Sequence, residues 1–147
     1  MKIVVASDHG GLEYKNAIKK HLILQGKEVI DVGTYTKESC HYPTFAFLAG
    51  EKVASGEVDF GFLVCTTGEG IMIAANKVKG VRAAIGYNDS VSVKSREHND
   101  ANMLAFGQAE MQLDDVLRRV DLFLATASSK EGRHGLRVKL ITDYENQ

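Results

Sequence analysis

The stretch Asp59-Phe-Gly-Phe-Leu-Val64, running into Cys65-Thr66-Thr67-Gly68-Glu69-Gly70, decides the fold. A short apolar run with no polar alternation reads as a strand buried on both faces. It ends abruptly in a polar, glycine-rich turn, and the residues from Gly70 to Lys77 then read as a helix. Strand, tight turn and helix in direct succession are the building unit of a parallel sheet.

Working outward, the same unit recurs on both sides. Lys2 to Ser7 is a buried-strand run followed by Asp8-His9-Gly10-Gly11. Leu12, Ala17, Ile18, His21 and Leu22 recur at helical spacing up to Gly26, with Lys15, Lys19 and Lys20 on other faces. Glu28 to Val32 reads as a strand. A polar loop leads to Tyr42-Pro43, where proline suits the first turn of a helix ending near Ser55-Gly56. Beyond the central stretch, Val81–Ile85 and Met103–Phe106 read as strands, and Ser90–Glu97, Leu113–Ala125 and Arg133–Tyr144 as helices. In the last helix Leu136, Leu140 and Ile141 form one stripe, with Arg133, Arg137 and Lys139 elsewhere. The pattern predicts an α/β, Rossmann-like three-layer sandwich: a five-stranded parallel sheet with helices on both faces. One domain spanning residues 1–147 is expected, since no linker, repeat or low-complexity tract interrupts it.

Composition narrows the function. Lys and Arg total 18 against 19 Asp and Glu, a net charge of −1. That gives no overall drive toward nucleic acid or acidic membranes, so any anion must be gripped locally. No run approaches the roughly 20 apolar residues of a membrane helix. The two cysteines and the absence of a visible secretory signal predict a reducing, cytoplasmic setting with free thiols. The five histidines are scattered without metal-ligand spacing, so neither metal nor cofactor is expected. A Gly-x-Gly-x-x-Gly turn and a P-loop are both missing, which disfavours dinucleotides.

On open parallel sheets, ligands bind beyond the carboxyl ends of the strands, near the switch in strand order. The residues there are the site candidates. Cys65 precedes a glycine turn whose N–H groups can converge on one point, an arrangement that stabilises an oxyanion and activates a thiol. It could equally be a small buried hydrophobe. Asp8 and His9 suit a ligand site or an ordinary helix cap. His98, in Arg96-Glu97-His98-Asn99-Asp100, suits acid–base work or a cap on the helix dipole. Arg133 and Arg137, one turn apart, suit a phosphate grip or a solvated face.

Taken together, these motifs resemble type B ribose-5-phosphate isomerases and their relatives, the galactose-6-phosphate isomerase subunits and allose-6-phosphate isomerases. The resemblance covers nearly the whole chain. It rests on Ser7-Asp-His-Gly-Gly11, Glu28-Val-Ile-Asp-Val-Gly33, Tyr42-Pro43, Cys65 through Ala74-Ala-Asn-Lys77, Arg96 to Asp100, and Gly132-Arg-His134 with Arg137. It implies an aldose–ketose isomerase of a phosphorylated sugar working through an enediolate. Ribose 5-phosphate is the first choice of substrate and a hexose 6-phosphate, galactose or allose 6-phosphate, the second. It implies Cys65 as base, Thr67 as its helper and His98 as the residue that opens the sugar ring. Backbone amides of Gly68, Glu69 and Gly70 would hold the enediolate oxygens. Asp8 and Asn99 would bind sugar, and His9, Arg133 and Arg137 phosphate. It further implies a homodimer, or a dimer of dimers, with the site shared between subunits and the last helix reaching the partner.

The sequence departs from that pattern in places. Thr66 stands where relatives usually have glycine, Glu69 adds a carboxylate to the turn, and Ala109 stands where an arginine usually joins the phosphate site. His41 replaces the commoner aspartate before Tyr42-Pro43. Two readings of other classes are a sugar-phosphate-binding module without catalysis and a thiol hydrolase using Cys65.

Overall fold

The computed structural model describes residues 1–147. Its elements in chain order are β1 (Lys2–Ser7), a 3-10 turn (His9–Gly11), α1 (Leu12–Leu24), β2 (Glu28–Asp31), α2 (Tyr42–Ala54), β3 (Phe60–Cys65), α3 (Glu69–Ala75), β4 (Ala83–Ile85), α4 (Asp89–Asn99), β5 (Met103–Gly107), α5 (Leu113–Leu124) and α6 (Gly132–Glu145). All four strand pairings are parallel, in the order β2-β1-β3-β5-β4. The chain therefore leaves β1 to one side for β2 and returns to its other side for β3. That reversal marks where open parallel sheets bind their ligands, the crevice expected at the carboxyl ends of β1 and β3.

Side-chain alternation along the strands builds two cores. Val4, Ala6, Leu63, Cys65, Met103 and Ala105 face α2 and α3, where Ala46, Ala49, Ile71 and Ala75 close the layer. Ile3, Val5, Phe62, Val64, Leu104 and Phe106 face the other way, against Ile18 and Leu22 of α1 and Val116, Val120 and Phe123 of α5. Strands that bury both faces read as unbroken apolar runs, which is why periodicity alone revealed them.

Several expected boundaries move by one or two residues. The helix expected over Gly70–Lys77 is Glu69–Ala75, because Gly68 serves as its N-cap in the left-handed region at φ 85°. The strand expected from Val81 begins at Ala83. There Asn102 takes over the backbone before it: its Oδ1 accepts from the Arg82 N–H at 2.8 Å. Helix α4 starts at Asp89 under an Asn88 cap and continues past Glu97 to Asn99.

Lys15 is the larger correction. It does not lie on an outer face but is 1% exposed. Its ammonium sits 2.8 Å from Asp31 Oδ1 at the end of β2 and also donates to the Thr34 carbonyl. A buried lysine is tolerated when a carboxylate neutralises it and its donors are filled. Asp31 also accepts from the Gly33 N–H at 2.9 Å, so this ion pair ties α1 to the start of the loop that leads to α2.

Candidate active site

The crevice between β1 and β3 gathers the first group of candidates. Cys65 ends β3, 5% exposed, and its Sγ accepts the Gly68 N–H at 3.1 Å. Thr67 turns its Oγ1 toward the Glu69 N–H at 3.2 Å. Two of the three turn amides expected to meet substrate oxygens are thus engaged inside the turn, orienting the thiol and the hydroxyl. The Gly70 amide lies in the first turn of α3, ahead of any intrahelical bond.

The turn is closely packed. A Cβ on Gly68 would stand 2.9 Å from the Phe106 carbonyl carbon, besides being strained by the positive φ. The segment after β5 pairs onto it, with the Gln108 N–H donating to the Cys65 carbonyl at 2.9 Å and the Ala109 N–H to the Thr66 carbonyl at 3.0 Å. Ala109 is exposed beside this turn. Glu69 is exposed as well and makes no side-chain hydrogen bond or ion pair.

Asp8 and His9 follow β1. Asp8 is buried and its Oδ1 accepts the Gly11 N–H at 3.1 Å, so the capping reading holds for that oxygen while Oδ2 is left for another donor. Gly10 lets β1's turn lie directly on the Thr66 side chain. His9 is exposed, and its Nδ1 accepts the backbone N–H of Cys40 at 3.2 Å. With Nδ1 accepting, Nε2 is the nitrogen that carries the proton and can donate outward.

Two residues not among the expected site residues belong here. The Tyr42 ring lies over the turn, since a Cβ on Gly70 would stand 2.7 Å from its Cζ. Tyr14 holds the β5–α5 segment from the far side, its N–H donating to Gln108 Oε1 at 3.0 Å and its hydroxyl to the Met111 carbonyl at 2.7 Å. Tyr42-Pro43 was visible as a motif, but its reach to Gly70 depends on α2 packing against α3.

The second group lies elsewhere. His98 and Asn99 end α4, which runs back along the sheet to the amino end of β5. The Gly61 N–H donates to the Asn102 carbonyl there, four residues before Cys65, or about 13 Å of strand. Arg133 and Arg137 share that end, because α6 packs on α4. The Ser129 N–H donates to the Glu97 carbonyl at 2.9 Å and fixes the approach to α6. His98 and His134 stack with ring centroids 4.1 Å apart and an interplanar angle of 3°. His98 Nε2 is 3.7 Å from Glu97 Oε1. Both arginines are exposed, and the only ion pair on α6 is Lys139–Asp143.

One chain therefore separates the expected site residues into two groups at opposite ends of its sheet: Asp8, His9, Cys65, Thr67 and the turn at one, and His98, Asn99, Arg133 and Arg137 at the other. No three His, Cys, Asp or Glu side chains converge as a metal site.

Comparison with known proteins gives this arrangement its relatives. The model of a family described as Ribose/Galactose Isomerase matches residues 3–141. The chain belongs to that family. Within it, ribose-5-phosphate isomerase B of Escherichia coli is 44% identical over 146 residues, covering 99% of this chain and 97% of the relative. The ribose-5-phosphate isomerase B structure from Clostridium thermocellum superposes with a TM-score of 0.96 at 48% identity, covering 99% of this chain and 98% of that one. The Mycoplasma genitalium enzyme, solved with bound ribulose-5-phosphate, superposes with a TM-score of 0.94 at 38% identity over 99% of this chain and 97% of that one. Membership in the ribose/galactose isomerase family extends through the Cys65 turn, α4 and the first turns of α6.

Proposed function

We propose that this chain interconverts ribose 5-phosphate and ribulose 5-phosphate through an enediolate, as a sugar-phosphate aldose–ketose isomerase of its family. The observation that carries the reading is the Cys65 turn: a thiol at a strand end, held by the Gly68 amide, with the Thr67 hydroxyl beside it. In the open-chain aldose, Cys65 as thiolate takes the C2 proton. The electron pair moves into a C1–C2 double bond and the carbonyl electrons onto the C1 oxygen. Return of the proton to C1, with the C2 hydroxyl proton passing to the C1 oxygen, gives the ketose. Thr67 serves that hydroxyl transfer. The Gly70 amide and the polar end of the crevice stabilise the anionic oxygens, a role usually worth about 10²–10³ in rate per donor. Asp8 Oδ2 accepts from a sugar hydroxyl, and His9 Nε2 donates to the phosphate.

His98, Asn99, Arg133 and Arg137 complete the site from a second copy. Three features support this. The two half-sites stand at opposite ends of one sheet. Helix α6 buries none of its residues, leaving Leu136 and Leu140 each 59% exposed and Tyr144 77% exposed. Phe47 and Leu48 on α2 and Ile73 on α3, near the Cys65 turn, are also exposed. A two-fold pairing covers both apolar surfaces and brings each chain's His98 end to the other's Cys65 end. Both cysteines are unpaired, in keeping with a cytoplasmic location, and no helix is long and apolar enough to cross a membrane.

The test is incubation with ribose 5-phosphate in deuterated water. The reading requires ribulose 5-phosphate with solvent deuterium entering at the transferred carbon. Ketose formation without any exchange, or none from ribose 5-phosphate at all, contradicts it.

A further inference from the structure

The His98–His134 stack is the one close pairing of titratable rings outside the Cys65 crevice. Its rings are nearly parallel, with centroids 4.1 Å apart. It joins the end of α4 to the first turn of α6, and no hydrogen bond fixes either ring. The Ser129–Glu97 backbone bond holds the two helices in the register that makes it. We propose that His134 is a positioning residue for His98: its ring fixes the plane of the His98 imidazole, and so the direction in which that imidazole presents a proton to the sugar-ring oxygen. The proposal rests on the reading of His98 as the ring-opening residue.

The surroundings separate the roles of the two rings. His134 is faced by His98 and Glu97 of α4 and by Arg133 and Arg137 of its own helix. Desolvation holds it below the usual histidine range, and His98 and the two arginines add to that; Glu97 alone opposes. A neutral, flat ring is what an imidazole carrying a proton can tolerate against its face, whereas two imidazoliums at this separation repel. Glu97, 3.7 Å from His98 Nε2, places a carboxylate beside the ring assigned to the proton transfer. His134 therefore contributes shape and a neutral face rather than a proton. An aromatic ring without nitrogens can replace it, which is the distinguishing property.

The experiment compares His134→Ala, His134→Phe, His98→Asn and the double variant His134→Ala/His98→Asn, each shown to match the parent in circular dichroism and sedimentation. Turnover is measured on ribose 5-phosphate. Loss of an aligned acid–base group acts on kcat rather than on binding, so His134→Ala is expected to lower kcat by about tenfold with KM within about twofold. His134→Phe is expected to restore kcat to within about threefold of the parent, and the double variant to be no slower than His98→Asn alone. A kcat in His134→Ala equal to the parent's overturns the proposal. So does a rise in KM at unchanged kcat, which would make His134 a phosphate ligand, or failure of phenylalanine to rescue. If His98→Asn itself retains full turnover, the reading of His98 fails first. If His98→Asn is slow while His134→Ala is not, that reading stands and only the positioning role falls.

Discussion

At the scale of single residues, Cys65 carries the most consequence. Its buried position and its bond from the Gly68 amide satisfy both the packing and the catalytic reading, and only chemistry separates them. Replacing Cys65 by alanine or serine is expected to lower kcat by about 10²–10⁴ while circular dichroism is unchanged. A variant with parental turnover would return Cys65 to the core. Arg133→Ala and Arg137→Ala are each expected to raise KM for the sugar phosphate by tenfold or so, since a charge-assisted bond is worth about 1.5–3 kcal/mol. Unchanged KM in both would leave them a solvated face. Glu69 and Ala109 bear on substrate choice. Glu69 is exposed at the first position of α3, where a carboxylate is favourable toward the helix dipole. Glu69→Val is therefore expected to leave the preference among ribose, galactose and allose 6- or 5-phosphates unchanged. Ala109→Arg is expected to tighten inorganic phosphate in a competition assay. A switch of preferred sugar on Glu69→Val would instead place that side chain against the substrate.

At the scale of elements, the joints between helices carry the pH dependence. Asp89, in the first turn of α4, binds Arg118 and Arg119 of α5; the Arg118 hydrogen bonds, foremost, hold its carboxyl below the usual carboxylate range. A depressed carboxylate stabilises the fold above its ordinary value near 3.8 and loses that contribution as pH falls through its lower folded value. Asp89→Asn is expected to lower the Tm at neutral pH, with the difference from the parent vanishing in strong acid; a constant difference at all pH would contradict the linkage. The α4–α6 joint responds in a milder range. Because His134 is depressed, the unfolded chain takes up the proton first. The stack's contribution is complete above about pH 6.5 and declines as pH falls toward the lower folded value. Amide exchange in α6 should quicken across that range once corrected for intrinsic rates, and remain flat in His134→Phe.

The elements also show what the sequence could and could not say. The central strands β1, β3 and β5 are readable because a strand buried on both faces leaves an unbroken apolar run, and the half-buried edge strands β2 and β4 because turn residues bound their shorter runs. Lys15 was misread, because a lysine in a helical pattern looks solvated until Asp31 arrives beside it through a parallel pairing made by another element. The Cys65 turn was legible as local chemistry. That Gly68 and Glu69 spend their amides inside the turn was not, since sequence carries no hydrogen-bond directions. The insertion of β5 between β3 and β4 left no local trace either. Breaking the Lys15–Asp31 pair by Lys15→Met leaves the Asp31 carboxylate only the half-exposed Lys19 ammonium at 3.4 Å and the Gly33 amide, an effect of up to about 3 kcal/mol measurable by urea unfolding.

At the scale of the whole molecule, the proposed site residues stand at two ends of one sheet. The open parallel sheet presents Cys65 and its turn at the carboxyl ends of β1 and β3. Helix α4 carries His98 about a strand length away, and α6 adds Arg133 and Arg137 there. On the proposed function neither end is complete for a phosphorylated sugar, and the exposed apolar stripe on α6 is the kind of surface a second copy covers. The direct test is complementation between two inactive variants, Cys65→Ala and His98→Asn, unfolded together in equal amounts and refolded. If each site takes Cys65 from one copy and His98 from the other, a mixed dimer holds one doubly altered site and one intact site. Random pairing then restores about a quarter of the parental activity on ribose 5-phosphate. Activity no greater than that of the two variants refolded separately, in a sample shown to contain mixed dimers, would contradict the shared site.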